Sequence, residues 1–417
     1  MRVLILSTYE KAGGAAIAAS RLREALTKSG VGTSMAVSSK GWIKGKTWAF
    51  VRERTAILLA NRGRRDNLYA IDTALAGEDI TQLEEYKEAD VIHLHWVNQG
   101  FLSFQTLQKI IDSGKRIVWT MHDAWNTTGI CHLTLGCEAY RNECGNCKYL
   151  TRPHPTDLSH TVWEKKRRLY SKRNITFVAC SSWLMAEAEK SSLLSGQDVR
   201  HVPNPIDTDL FKPLDKAECR RALHLPAGKR LLLFVAQNVN NPNKGMTFLA
   251  EAIRSIDNSD VALVMLGGKG EDMGGMMPST EIFPLGYIND AETIRRIYSA
   301  ADAFVLPSLS ENLPNTIMEA MACGTPCVGF NTGGIPEMID HKVNGYVARY
   351  RDAHDLAQGL ADVLENNIAY STHCREKAVR EYSETVVAER YISIYKSGVP
   401  QSQTPHAPQS IPPCARY

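Results

Sequence analysis

A chain of 417 residues is too long for one ordinary hydrophobic core and fits two α/β domains. Its 44% hydrophobic and 22% charged residues are those of a soluble globular protein, and a net charge of +3 is too small to argue for nucleic acid. No window approaches the apolar run of a membrane span, and Met1–Leu6 is too short for a signal peptide, so cytoplasmic location is the default expectation.

In chain order, Val3–Ser7 reads as a buried first strand, followed by the pair Gly13-Gly14 and a small-residue helix over Ala15–Ser29. The runs Asp90–Trp96, Arg116–His122 and Thr176–Ser181 are strand candidates, and the helical stretches between them imply parallel βαβ units. The proline-rich Val202–Asp207 breaks the pattern and puts a domain boundary near Pro203–Pro213. The pattern restarts with Arg230–Ala236 and a loop ending Lys244-Gly245, then Ala262–Gly268, Ala303–Pro307 and Pro326–Phe330. Continuous apolar strands of this kind are buried on both faces by helices. Val386, Val387, Tyr391, Ile394 and Tyr395 recur at helical spacing and predict a closing amphipathic helix. The organisation is therefore 1–203, 204–380, a closing helix 381–397 and a Pro-, Ser- and Gln-rich tail 398–417 of disordered composition.

Open parallel sheets bind ligands at the carboxyl ends of their strands. The segment Ser308–Gly324 lies at such a place, with a helix predicted to start around Pro314. Free N–H groups at a helix start make a phosphate site. Glu319, more than a turn inside, tilts back toward that start, while Glu311 lies in the loop before it. Two carboxylates bracketing an anion site suit a polyhydroxylated molecule with a diphosphate in its middle.

Ten cysteines is a high count, and Cys131, Cys137, Cys144 and Cys147 cluster. Structural zinc, with His132 or His154 as substitute ligands, and free thiols packed under a loop are both open readings. Asp207-Thr208-Asp209 follows the interdomain linker, where a hinge or cap is the expectation and a catalytic metal is not. His93 and His95 alternate in one strand and read as core-edge residues. The basic stretches Arg62–Arg65 and Trp163–Arg173, the latter with Trp163 and Tyr170, suggest peripheral docking on an anionic membrane.

Two glutamates separated by seven residues, then Ala-x-Ala-x-Gly-x-Pro-x-Val and Thr332–Glu337, resemble the donor site of family 4 retaining glycosyltransferases. Gly13-Gly14, Asn204–Asp207 and Lys244-Gly245 match further segments. Trp119–Trp125, Thr128-Gly129 and the cysteine block resemble the colanic-acid type of exopolysaccharide enzyme. The resemblance implies a GT-B fold: two facing Rossmann-like domains with a cleft between them, and a C-terminal helix returning to the N-terminal domain. It implies acceptor binding by the first domain and a UDP- or GDP-sugar donor on the second. Glu319 would hold the ribose, Glu311 the transferred sugar and Lys244 the diphosphate. His122 would lie against the sugar, and Gly14 would admit the diphosphate. Gly286 and Tyr287 would meet the base, with Asn312, Leu313 and Thr316 lining the same site. His122, Glu311 and Lys244 are the catalytic candidates.

The family usually has arginine at the end of the first C-domain strand, paired with the diphosphate. Gln237 stands there instead, and loss of a charge-assisted bond costs about 1.5–3 kcal/mol unless another cation replaces it. The expected activity is hexosyl transfer with retention, to a glycan or lipid-linked glycan in cell-surface polysaccharide assembly, without a catalytic cofactor. A weakly active sugar-nucleotide-binding scaffold and a nucleotide-sugar epimerase or hydrolase remain alternatives. A nicotinamide dehydrogenase is disfavoured because no GxGxxG follows the first strand.

Overall fold

The computed structural model describes residues 1–38, 47–172, 174–238, 240–256, 260–268, 277 and 279–397. The tail 398–417 and Arg173 of the basic stretch therefore lie outside the described residues. Among the described residues twelve strands form two six-stranded parallel sheets. The first takes the order β2-β1-β3-β4-β5-β6, built from β1 (Arg2–Ser7), β2 (Gly32–Val37), β3 (Val91–Leu94), β4 (Arg116–Met121), β5 (Ile175–Ala179) and β6 (Asp198–His201). The second takes the order β12-β11-β10-β7-β8-β9, from β7 (Arg230–Ala236), β8 (Val261–Gly267), β9 (Glu281–Gly286), β10 (Ala303–Leu306), β11 (Cys327–Phe330) and β12 (Gly345–Ala348).

The period of two along β1 sorts its side chains between two cores. Leu4 and Leu6 join one face with Trp119 and Phe177, while Val3 and Ile5 join the other with Ala19, Leu22 and Tyr391. That second face is covered by the helices Gly14–Lys28 and Glu384–Lys396, so the last described helix returns to the first sheet. Its tyrosines are tied down there: Tyr391 Oη lies 2.9 Å from Thr120 Oγ1, and Tyr395 Oη 2.7 Å from His93 Nδ1.

The chain passes between the halves twice, side by side. Ile206 donates its N–H to Tyr382 O at 2.8 Å and accepts from Glu384 N at 3.2 Å. Beside this double crossing, Lys28 bridges Asp207 and Glu384. Asp207 Oδ1 also accepts from the N–H groups of Asp209 and Leu210, capping the turn.

In each sheet strand order reverses once, and ligand crevices open at such points. In the second sheet the reversal falls between β7 and β10. The segments leaving those two strands carry Gln237, Lys244, Glu311 and Asn312. In the first sheet it falls between β1 and β3, with His122 after the adjoining β4.

Candidate active site

The helix Asn315–Ala322 starts directly after Pro314, and its first N–H groups face the cleft end of the second sheet. Beside it Lys244 Nζ lies 2.6 Å from Glu311 Oε1. Two glycines force this meeting. Gly245 has φ +70° and a Cβ there would lie 1.8 Å from Pro307 O. Gly333 has φ +56° and its Cβ would lie 1.6 Å from Glu311 O. Neither position tolerates a side chain, so the lysine turn presses onto Pro307 at the end of β10, and the segment after β11 presses onto the Glu311 loop.

Glu319 is nearly buried one turn into the helix. Its Oε1 accepts from Arg21 Nη2 at 2.6 Å and its Oε2 from Tyr298 Oη at 2.9 Å. Burial beside that carboxylate pushes the Tyr298 hydroxyl well above the usual range, which keeps it a donor. Thr316 is half-buried and Leu313 buried in the same segment, while Gln237 is exposed at the end of β7. Gly286 has φ +68° and Tyr287 is exposed beside it.

Residues from the first half close over this place. Gly14 O accepts from Asn315 Nδ2 at 3.0 Å, and Asn204 Nδ2, at the boundary between the halves, donates to Asn315 Oδ1 at 3.3 Å. Asn312 Nδ2 donates to His122 O and to Cys180 Sγ, both at 3.1 Å. Glu337 Oε2 accepts from the Ser182 N–H at 2.8 Å and from its hydroxyl. The structure thus brings together Gly14, His122, Lys244, Glu311, Asn312 and Glu319.

The His122 ring faces inward: its Nε2 lies 2.9 Å from His95 Nδ1, and burial pushes its pKa down to about 4. His95, read from the sequence as a core-edge residue, is therefore the support of a candidate site residue. Behind it His93 is fully buried and held near 3 by desolvation. Arg21, Tyr298 and Asn315 escaped the sequence reading as well. The spacing of Arg21, two turns after Gly14 on the same helix, was the available signal.

A second polar cluster surrounds Asp123. Its carboxylate accepts from Trp96 Nε1 and Trp125 N, each at 2.8 Å, and lies 2.7 Å from His132 Nδ1. His132 Nε2 lies 2.7 Å from Asp72 Oδ2, and Asp72 pairs with Arg54. Two carboxylates thus hold His132, which corrects its assignment as a substitute metal ligand. His154 is exposed, with its ring nitrogen 3.1 Å from Thr156 Oγ1.

Of the two open readings of the cysteine cluster, structural zinc is not supported. Among the described residues no three His, Cys, Asp or Glu side chains converge to hold a metal ion. Cys131, Cys137, Cys144 and Cys147 instead line a cavity of about 20 Å³ as free thiols. Burial pushes Cys131 up to about 12 and Cys144 up to about 11.

Residues 12–210 match the family model described as Glycosyltransferase Family 4, and residues 229–366 the one described as Glycosyl transferases group 1. The chain belongs to glycosyltransferase family 4. This glycosyltransferase is 24% identical over 363 residues to an uncharacterized glycosyltransferase of Methanocaldococcus jannaschii, covering 79% of this chain and 90% of that one. It is 24% identical to WcaC of Escherichia coli K12, described as a candidate colanic acid biosynthesis glycosyl transferase, over 80% of each chain. Its fold matches sucrose-phosphate synthase of Thermosynechococcus elongatus with a TM-score of 0.68 at 18% identity, covering 95% and 98% of the two chains. HepE of Anabaena, solved with UDP-glucose, matches with a TM-score of 0.61 at 16% identity over 94% and 99%. The two facing sheets and the returning helix are the GT-B architecture that the family resemblance implied.

One docking feature of the glycosyltransferase is not as expected. Trp163 and Tyr170 are buried in the first core and Lys166 is fully buried. Lys166 Nζ donates to Trp125 O and, at 3.0 Å, to Thr128 O, and desolvation drives its pKa well down. The helix Leu158–Tyr170 shows solvent only Lys165, Arg167 and Arg168 of its cations, with both arginines beside Glu164. Among the described residues no helix is long and apolar enough to cross a membrane.

Proposed function

We propose that this glycosyltransferase moves a hexose-type sugar from a UDP- or GDP-linked donor, with retention, to a glycan or lipid-linked glycan of the cell surface. The observation that carries the reading is the cluster at the start of the helix Asn315–Ala322. There Lys244 and Glu311 pair beside the helix that carries Glu319, and Asn312 and Asn315 of the same segment bond His122 O and Gly14 O from the first half. The donor falls to residues 204–380 and the acceptor to 1–203. HepE was solved with UDP-glucose, and one Escherichia coli relative is described as transferring galactose to a diphosphoundecaprenol-linked sugar, which supports both substrate classes.

In this reading the bond between C1 of the sugar and the diphosphate oxygen breaks as C1 joins the acceptor oxygen on the same face. The acceptor proton passes to the leaving phosphate. Lys244 and the helix N–H groups stabilise the departing charge. Glu311 accepts from sugar hydroxyls and Glu319 from the ribose diol. His122 stays neutral and lines the sugar face.

A thermal-shift panel of UDP, GDP, ADP and their sugar conjugates, on wild type and Glu319→Ala, tests the donor site. A rise with one nucleotide that the variant loses is expected. No rise with any of them sinks the reading. The anomeric configuration of product, read by NMR, tests retention.

Peripheral docking on the cytoplasmic face of an anionic membrane completes the proposal. Its surface is Arg62, Arg64 and Arg65, which follow the exposed Leu59 at the end of the helix Trp48–Ala60. Failure to bind anionic liposomes at low salt removes it.

A further inference from the structure

Arg21 belongs to the helix Gly14–Lys28, on the half of the molecule that faces the proposed donor site. Its guanidinium bonds Glu319 from across the cleft, and its Cζ lies 5.2 Å from the ring centroid of Phe211. The side chains of Arg21 and Glu319 are only 14% and 12% exposed, so the pair is largely desolvated. Yet Nη1 of Arg21 is buried without a hydrogen-bond partner among the described residues. A guanidinium has five N–H donors in a fixed fork, and leaving some unpaired in a buried place is costly.

Direction matters as much as distance. Side chains on a helix tilt toward its N-terminus, so Arg21 leans toward Gly14 and Glu319 toward Asn315. Gly14 and Asn315 touch, so both side chains lean toward the one point where the two helix starts meet. Phosphate is favoured at such a point. The residue that follows β7, where the family resemblance expects an arginine, is Gln237, which brings no charge.

We infer that Arg21 is a donor-binding residue, a cation that the N-terminal half supplies to the diphosphate in place of the arginine missing at Gln237. The inference rests on the donor reading above. When the nucleotide sugar enters, Arg21 exchanges its bond with Glu319 for phosphate oxygens, and Glu319 turns to the ribose hydroxyls. Donor binding and the contact between the two halves are thereby coupled through one side chain.

The test is calorimetric titration of the full chain with UDP and GDP, for wild type, Arg21→Gln, Arg21→Lys, Gln237→Arg and the double variant Arg21→Gln/Gln237→Arg. Arg21→Gln is expected to weaken nucleotide binding by roughly tenfold or more, and Arg21→Lys by less. Gln237→Arg is expected to recover most of the loss in the double variant, which a merely structural bridge would not allow. Unchanged or tighter binding by Arg21→Gln overturns the inference, as does a failure of Gln237→Arg to restore it. Should Arg21→Gln not fold, the same decision falls to Arg21→Lys: unchanged affinity with an unchanged salt dependence overturns the inference. Wild type that binds neither UDP nor GDP overturns the donor reading together with it. Wild-type binding that Glu319→Ala weakens and Arg21→Gln leaves alone overturns this inference only.

Discussion

Lys244 and Glu311 hold each other at 2.6 Å, although 67 positions of chain separate them and each is expected to grip a different part of the donor. The cation and the carboxylate are partly exposed, so the bond is weak enough to exchange for ligand contacts. Lys244→Ala is expected to lower kcat/KM for the donor by about 10–100-fold, the range of one charge-assisted hydrogen bond in a transition state. Lys244→Arg retains more of the rate. Initial rates at varied donor concentration check this, and an unchanged kcat/KM would remove Lys244 from the site.

Gly333→Ala tests how tightly the Glu311 loop is built. Added strain at φ +56° combines with a backbone oxygen 1.6 Å from the new carbon. At Gly136, where φ is +81° and nothing lies within 4 Å, only the strain applies. Gly333→Ala should therefore cost more than Gly136→Ala, by at least about 1 kcal/mol in chemical denaturation. It should also abolish the nucleotide-induced rise in melting temperature that Gly136→Ala keeps.

The buried imidazoles make stability depend on pH. His122 titrates near 4 in the folded protein, from desolvation, against about 6.5 when unfolded. Between those values the unfolded chain binds more protons, so stability falls as pH drops below 6.5 and levels off below 4. His122 alone accounts for about 2 kcal/mol at pH 5, and His93 acts in the same direction. Melting temperatures from pH 7.5 to 4.5 should show the decline, with a shallower slope for His93→Gln. The rate at saturating donor should show no limb near pH 6.5 from His122, since that group stays neutral there.

The cysteine cavity gives a further contrast. Chelator treatment is expected to leave the melting temperature unchanged, because the thiols line a small void rather than a coordination shell. Cys131 and Cys144 should resist alkylation at pH 8 until the protein unfolds, given thiol pKa values near 12 and 11. A fall in melting temperature with chelator would reinstate a metal.

Tyr395→Phe removes the hydroxyl next to His93 Nδ1 and leaves that nitrogen buried and unpaired. A loss of about 1–3 kcal/mol is expected in denaturant titration. No loss would show that this hydrogen bond adds nothing to the anchorage of the returning helix.

What the chain reveals of itself follows the range of each interaction. β1, β7 and the helix after Pro314 were legible because apolar runs, glycine pairs and a proline act within a few residues. The closing helix was legible from its apolar spacing, and its docking on the first sheet came from the family resemblance. Arg21 was not legible, because its partner Glu319 lies 298 positions away and only the folded cleft joins them. Trp163 and Lys166 misled for a related reason. A basic run on a helix reads as a wet face, and no local rule reveals that Trp125 and Thr128 would enclose the lysine.

The helix Glu384–Lys396 lies against Val3, Ile5 and Val91, all of which are made well before it. During synthesis that face of the first sheet emerges from the ribosome without its cover and stays bare until the helix Glu384–Lys396 has been made. Chaperone demand should therefore centre on the amino-terminal half, and a transcript truncated before Glu384 should yield a product that aggregates through it.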